Sequence, residues 1–379
     1  MKVNIVTFYK GSFPFIDELL SELEKKGIEA YVFDMIEMYT LRIVDGEKHF
    51  EYHVDNKIIT KVVKLRIVGT FVRYLFYKNY FRKNDFVADH TNIHYVLPLY
   101  SMFIDYFKKK SKSVSTVVWG SDFLRVSNSK RDMMKPIFEK SDSILIPNTE
   151  LAFSVGDYYN CAAKIKSVGF GIGKLDRIKE LIESDDKEKF KSDLDIPNDK
   201  LIVTVGYNGL KEQQHELILN AFENIDPKIK SNLFIILPFG YGGNAEYKKY
   251  LVNKLGKLEI SYKVYDTFIT DVDVSKIRIC TDLVINAQIS DGSSASLQEH
   301  LYAKNVLLVG EWLQYKHFSD AGIEFWKFDE QNLFNQLNYI LDNFENCKKS
   351  VQNNDKVIHA MSSWNSRINQ WINVFENKL

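Results

Sequence analysis

The stretch Asp282-Leu-Val-Ile-Asn-Ala-Gln-Ile-Ser-Asp291-Gly-Ser-Ser-Ala-Ser-Leu-Gln-Glu299 decides how this chain of 379 residues is read. Leu283, Val284 and Ile285 form a short apolar run of the kind that fills a parallel sheet. Gly292, Ser293, Ser294, Ala295 and Ser296 follow with little side-chain bulk. A helix is predicted from there through His300, Leu301 and Ala303, with Glu299 about one turn in. A small-residue loop that opens a helix leaves backbone N–H groups free to meet an anion, and the helix dipole adds to the attraction. The carboxylates of Asp291 and Glu299 flank that loop. Acids beside an anion seat suit a ligand that carries hydroxyls next to phosphates, as a nucleotide sugar does. The same two residues also read as an N-capping acid and a solvent-facing helix glutamate.

Short apolar runs alternate with longer amphipathic stretches on both sides of this segment, the pattern of βαβ units. The first half predicts strands at 3–8, 30–33, 86–88, 116–119, 143–147 and 165–168, with helices at 15–26, 95–109, 130–140 and 150–159. Asn148 is placed to cap the last of these helices. A polar stretch follows, and a second series of strands is predicted at 201–205, 233–237, 263–265, 283–286, 306–309 and 324–327, which puts a domain boundary between about 172 and 198. Near the end, Trp364, Ile368, Trp371 and Phe375 fall on one helix face.

The chain carries 50 basic and 50 acidic residues, and its hydrophobic fraction of 45% supports well-filled cores rather than disorder. Residues 1–180 hold 28 Lys+Arg against 22 Asp+Glu, and residues 181–379 hold 22 against 28, so the halves differ by sign. The three cysteines, Cys161, Cys280 and Cys347, are far apart and suggest no disulfide frame or metal site. The apolar start is too short for a signal peptide, and no run approaches the roughly 20 apolar residues of a membrane span. A cytoplasmic location is expected. No catalytic triad, metal-ligand cluster or Walker lysine is visible, so no metal and no cofactor beyond a co-substrate is expected.

The Asp291–Glu299 spacing resembles the Glu, seven residues, Glu pattern of the retaining group-1 glycosyltransferases of GT-B fold, with the first acid shortened by one methylene. The resemblance implies an α/β architecture of two Rossmann-like domains with parallel sheets facing an interdomain cleft. Residues 1–180 would bind the acceptor, with helix 361–379 crossing back to them, and 181–360 the nucleotide sugar. Asp291 would contact the transferred sugar, Glu299 the ribose hydroxyls, and Gly292, Ser293, Ser294 and Ala295 the diphosphate. The turn Val205-Gly206-Tyr-Asn208-Gly209-Leu-Lys211-Glu-Gln-Gln-His215 would add donor contacts through Gly206, Asn208, Gly209 and Lys211, although the family's usual Arg-plus-Lys pair is missing; the same residues read as a plain strand-to-helix turn. The nucleotide base would sit near Phe268 and Ile269.

In the first half, Trp119-Gly120-Ser121-Asp122-Phe-Leu-Arg125 resembles a segment of some bacterial group-1 enzymes. It implies Asp122 as a catalytic acid and Arg125 as an acceptor-side residue. Asp85-Phe-Val-Ala-Asp89-His90-Thr-Asn-Ile-His94 resembles a family strand that ends in histidines, which makes His90 a catalytic candidate and places His94 near the acceptor; the loop Gly11-Ser12-Phe13-Pro14 after the first strand, by itself a turn, would in the family add Ser12 and Phe13 to the donor–acceptor cleft. Asp122 also reads as a capping acid, and each histidine as a satisfied structural one. Residues 56–84 hold eight cations, six aromatics and no acid, a composition suited to an anionic membrane face or to aromatics that fill the core. Nucleic acid fits less well, because the chain is neutral and shows no recognition motif.

These features imply sugar transfer from a nucleotide sugar to a glycan or lipid-linked glycan in bacterial surface polysaccharide synthesis, with retention. The protein would be cytoplasmic, or peripheral on the inner face of the membrane. A catalytically silent GT-B partner subunit and a GT-B sugar-nucleotide epimerase remain as alternatives.

Overall fold

Runs of Val, Ile and Leu buried on both faces form the centres of two sheets in the computed structural model, which describes residues 1–9, 14–54, 63, 68–267 and 269–378. The chain divides into Met1–Gly171 with Trp364–Leu379, and Ile172–Ser363.

The first unit contains β1 (Lys2–Thr7), β2 (Glu29–Asp34), β3 (Tyr39–Val44), β4 (Glu47–Tyr52), β5 (Ala88–His94), β6 (Ser111–Val117), β7 (Ser143–Leu145) and β8 (Ile165–Lys166). Their order in the sheet is β4-β3-β2-β1-β5-β6-β7-β8. All neighbours pair in parallel except β2–β3 and β3–β4, which are antiparallel. The β3–β4 hairpin is absent from the sequence reading. Its signal was Asp45-Gly46, where both residues take positive φ, 52° and 77°, as a tight hairpin turn requires.

Strand β5 also lies further along the chain than the expected 86–88. It is almost wholly buried although it reads Ala-Asp-His-Thr-Asn-Ile-His, so no apolar pattern announces it. Its polar side chains are satisfied mainly from β6 and from one another: Ser115 Oγ lies 2.6 Å from His90 Nε2 and accepts from Asn92 Nδ2 at 2.6 Å, and Ser111 Oγ lies 2.5 Å from Thr91 Oγ1.

The helix Trp364–Phe375 belongs to this unit. Trp364, Ile368, Trp371 and Phe375 are all buried in a cluster with Val3, Ile5 and Leu145. Trp371 Nε1 donates to the Gly169 carbonyl at 3.0 Å, and Trp364 Nε1 donates to Glu18 Oε2 at 2.7 Å.

The helix Val68–Lys83 divides the aromatics of the basic stretch. Tyr77 and Phe81 are buried and Tyr74, Phe76 and Tyr80 pack beside them, so the core-filling alternative holds for these five. Val68, Phe71, Leu75, Lys78, Arg82 and Lys83 stay exposed. Arg73 is not on that surface, because its Nε donates to the Ile36 carbonyl at 3.0 Å. Lys57, Lys61, Lys64 and Arg66 lie outside the described residues.

The second unit is a fully parallel sheet of β9 (Leu201–Val205), β10 (Leu233–Pro238), β11 (Ser261–Tyr265), β12 (Leu283–Asn286), β13 (Val306–Gly310) and β14 (Trp326–Phe328). The order is β11-β10-β9-β12-β13-β14. The chain therefore builds outward from β9 in one direction, returns, and resumes at β12 on the other side. The loops after β9 and β12 leave neighbouring strands at this switch point, where open α/β sheets bind ligands.

Burial of the C-terminal helix makes its contribution measurable. Trp371→Ala should cost about 3–5 kcal/mol in denaturant unfolding of the first unit. A loss below about 1 kcal/mol would mean that the helix packs without contributing stability.

Candidate active site

Three loops of the second unit are joined by hydrogen bonds at the C-terminal edge of its sheet. From the loop after β9, Gln214 Nε2 donates to the Ala287 carbonyl at 2.7 Å, while the Glu212 carbonyl accepts from Ile289 N at 2.9 Å. From the loop after β13, Trp312 Nε1 donates to the Gln288 carbonyl at 2.8 Å and Gln314 N donates to the Asp291 carbonyl at 3.2 Å. The strand ends thus present one connected surface.

Asp291 lies half-buried on that surface. Its Oδ1 accepts from Ser293 N at 3.2 Å and its Oδ2 from Tyr207 Oη at 3.2 Å. Tyr207 in turn accepts from Gln288 Nε2 at 3.3 Å, and burial together with the Asp291 charge raises its phenol well above the ordinary value. Gly292, Ser293, Ser294 and Ala295 are half-buried and lead into the helix Ala295–Tyr302. The Ser294 side chain makes no capping bond, and neither does Gln214 at the start of helix His215–Glu223. The helices after β10 and β11 are capped by Asn244 and Thr270. First-turn N–H groups without a capping side chain are what an anion can use.

Glu299 is more enclosed than a solvent-facing helix residue. It is 4% exposed, and its Oε2 accepts from Arg278 Nε at 3.0 Å. Sequence reasoning missed Arg278, although a cation inside the run Ile277-Arg278-Ile279-Cys280 was a signal that it would need a buried partner. It also missed Tyr207, Gln288 and Trp312.

In the loop after β9, Gly209 meets the loop after β10. A Cβ on Gly209 would lie 2.9 Å from the Gly243 backbone, and Gly209 N donates to the Tyr241 carbonyl at 2.8 Å. This glycine serves loop packing. Asn208 is buried, and its Oδ1 accepts from Leu210 N at 2.9 Å. Gly206 takes φ of +65° and turns the chain away from β9. Lys211 is exposed, its Nζ 5.5 Å from the centre of the Tyr247 ring. His215 does not add a second cation, because it is fully buried and burial lowers its pKa to about 4. Ile269 packs against the cluster around Phe190 and Ile277, and Phe268 lies outside the described residues.

In the first unit the expected catalytic residues His90 and Asp122 are both buried. His90 sits in the middle of β5 rather than at its end, is 1% exposed, and has Ser113 Oγ 2.7 Å from Nδ1 and Ser115 Oγ 2.6 Å from Nε2. With both ring nitrogens occupied it is a packing residue of the sheet. His94 does end β5 but is also fully buried, paired through Nε2 with Asn92 Oδ1 and stacked on Trp371 with ring centres 5.7 Å apart.

Asp122 is 3% exposed and braces two loops: Oδ1 accepts from Trp119 N and Oδ2 from Val96 N, each at 2.9 Å. Burial outweighs those bonds and raises its pKa to about 7. The acid therefore holds the loops after β5 and β6 in place. Arg125 is exposed. Ser12 and Phe13 lie outside the described residues. Asp34, which the sequence reading did not single out, does the same work at the end of β2, accepting from Tyr9 N, Ile36 N and Glu37 N at 2.7–2.9 Å. Its pKa is also raised to about 7, chiefly by burial.

These features define a class. Two units, each on a largely parallel sheet, with the last helix returning to the first unit, constitute the GT-B fold. No family model matches the sequence, and no curated protein matches it in sequence. Among solved structures the chain is similar to sucrose-phosphate synthase from Thermosynechococcus elongatus, with a TM-score of 0.72, 10% identity, and coverage of 100% of this chain and 98% of that one. It is similar to HepE from Anabaena in complex with UDP-glucose, at TM-score 0.69 and 11% identity over 100% of both chains. WaaG, a glycosyltransferase involved in lipopolysaccharide biosynthesis, is similar at TM-score 0.70 and 12% identity over 99% of both.

The raised pKa of Asp122 fixes a sign. Between its ordinary value of 3.8 and about 7 the folded protein holds a proton that the unfolded chain has released, so the stability from this group is full below 3.8 and is lost as pH rises through about 7. Asp122→Asn should remove part of the decline in stability between pH 5 and 8. At pH 5 it should cost about 1–3 kcal/mol, because one backbone N–H loses its acceptor, and the cost should shrink at pH 8, where the wild type has lost the contribution of the protonated acid. Urea unfolding at the two pH values checks both effects, and an unchanged slope would remove Asp122 from the titration.

Proposed function

We propose that the chain is a glycosyltransferase that binds a nucleotide-sugar donor on its second unit and transfers the sugar to a glycan or lipid-linked glycan. The observation that carries this reading is the joining, at the switch point, of two loops that lead into helix starts without side-chain caps, one of them carrying Asp291, with Glu299 about one turn into the helix that follows it. N–H groups and helix dipoles suit a diphosphate. Glu299 suits ribose hydroxyls, and Asp291, on the surface formed by the joined loops, suits the transferred sugar. Lys211 supplies an exposed cation. The fold adds support, since HepE is crystallised with UDP-glucose and WaaG is a glycosyltransferase of lipopolysaccharide biosynthesis.

On this reading the leaving diphosphate is stabilised by backbone dipoles, no divalent metal is required, and transfer proceeds with retention, the leaving phosphate helping to deprotonate the incoming hydroxyl. We place this transfer in bacterial surface polysaccharide synthesis, a reading supported by the similarity in fold to WaaG, a glycosyltransferase of lipopolysaccharide biosynthesis. A charge-assisted hydrogen bond is worth about 1.5–3 kcal/mol, so Glu299→Ala should weaken nucleoside diphosphate binding about 10- to 100-fold. Asp291→Ala should chiefly lower turnover. Calorimetry with UDP, GDP and ADP, and slow donor hydrolysis followed with and without EDTA, test the reading. Unchanged affinity in Glu299→Ala would defeat the ribose assignment, and absence of any donor turnover would favour a silent partner subunit.

The exposed face of helix Val68–Lys83 supports a second part of the proposal. Val68, Phe71 and Leu75 lie on the same side as Lys78 and Arg82, a combination suited to the surface of an anionic membrane. No helix among the described residues is long and apolar enough to cross a membrane. Binding to anionic vesicles should weaken as salt shortens the Debye length from about 10 Å at 0.1 M to about 3 Å at 1 M. Replacing Phe71 with Ser and Lys78, Arg82 and Lys83 with Gln should abolish co-sedimentation while leaving turnover on a soluble acceptor. Failure of the wild type to co-sediment at low salt would leave the helix a core element with a solvated rim.

A further inference from the structure

Arg278 lies on the helix Asp271–Cys280, just before β12, and is 7% exposed. All three of its guanidinium nitrogens are used, and all three reach the helix Ala295–Tyr302. Nε donates to Glu299 Oε2 at 3.0 Å, Nη2 to Ser296 Oγ at 2.8 Å, and Nη1 to His300 Nε2 at 2.9 Å. His300 accepts that bond as a neutral ring, since burial and the Arg278 charge push its pKa well below the ordinary value. The Arg278 carbonyl accepts from Asn305 Nδ2 at 2.8 Å, which ties the turn between that helix and β13 to the same residue. Oε1 of Glu299 takes no hydrogen bond among the described residues and is not fully enclosed.

A buried ion pair contributes little net stability, because desolvation offsets the attraction. A planar fork with every nitrogen engaged does fix direction, which a point charge on a flexible stem does not. We propose that Arg278 is a positioning residue, clamping the Glu299 carboxylate through Oε2 so that Oε1 is held for the vicinal hydroxyls of a ribose. The inference rests on the reading of this site as a nucleotide-sugar site and adds to it the residue that sets its preference for a ribose.

The clamp can be tested by comparing affinities for UDP, or for GDP or ADP where one of these binds more tightly, with the affinity for the 2′,3′-dideoxy counterpart. The wild type should prefer the ribonucleotide by about 10-fold or more, and Glu299→Gln should abolish the preference. Arg278→Met should reduce the ratio to about 2 while leaving affinity for the dideoxy nucleotide unchanged, and Arg278→Lys should fall between. A general loss of structure would weaken both ligands together and leave their ratio alone. If Arg278→Met does not fold, Ser296→Ala frees Nη2 without removing the charge and should still lower the ratio. A full wild-type ratio in Arg278→Lys and Ser296→Ala overturns the clamp. Wild type that binds nucleotide with no preference for the hydroxyls overturns the clamp and the Glu299 assignment but leaves the diphosphate seat. Wild type that binds none of the three nucleotides overturns the reading of the site and the clamp with it.

Discussion

The reversal of winding between β9 and β12 is the constraint on which the second unit depends. With strands ordered β11-β10-β9-β12-β13-β14, only β9 and β12 send their following loops from adjacent positions in opposite directions of the winding. Parallel pairing aligns both strand ends, and the bonds Gln214–Ala287, Ile289–Glu212 and Trp312–Gln288 then fix the loops to one another. Residues 80 or more positions apart, such as Tyr207 and Asp291, meet for this reason alone.

Much of this was legible because the second unit's strands are apolar. Leu201–Val205 and Leu283–Asn286 run as expected, since Val, Ile and Leu buried on both faces leave no other reading. The first unit hid more. Its central strand β5 buries His90, Thr91, Asn92 and His94, and it is stable there because serines of β6 meet several of these groups. That complementarity is a property of two strands about 20 residues apart in sequence, and a reading that scores each segment by its own hydrophobicity does not detect it. The same displacement moved His90 from the expected strand end to its middle, and with it a candidate catalytic residue into the core.

Buried carboxylates show the same limit from another side. Asp34, Asp122, Asp291 and Glu299 are equivalent in a sequence except for their neighbours. In the structure Asp34 and Asp122 are nearly or fully buried and, among the described residues, accept from backbone N–H groups, so they order loops. Asp291 keeps a half-buried position among a tyrosine hydroxyl and a small-residue turn, and Glu299 spends one oxygen on an arginine. What separates these acids is therefore enclosure and the kind of partner: Asp34 and Asp122 are shut in among backbone donors, whereas Asp291 stays half-buried at a strand end beside a side-chain hydroxyl.

That distinction also bears on the departure from the Glu-to-Glu pattern. Asp291 is one methylene shorter, so its carboxylate stays close to its own loop, where Ser293 N and Tyr207 Oη hold it. A longer side chain would reach further from the helix start, whereas the aspartate concentrates negative charge beside Tyr207, whose ionisation burial already suppresses. The Tyr207 hydroxyl is thereby kept as a donor, and the second unit joins its β9 and β12 loops through a neutral phenol and a carboxylate instead of through two charges. An Arg or Lys at that junction would neutralise the acid, whereas a phenol orients it through a hydrogen bond and leaves its charge in place.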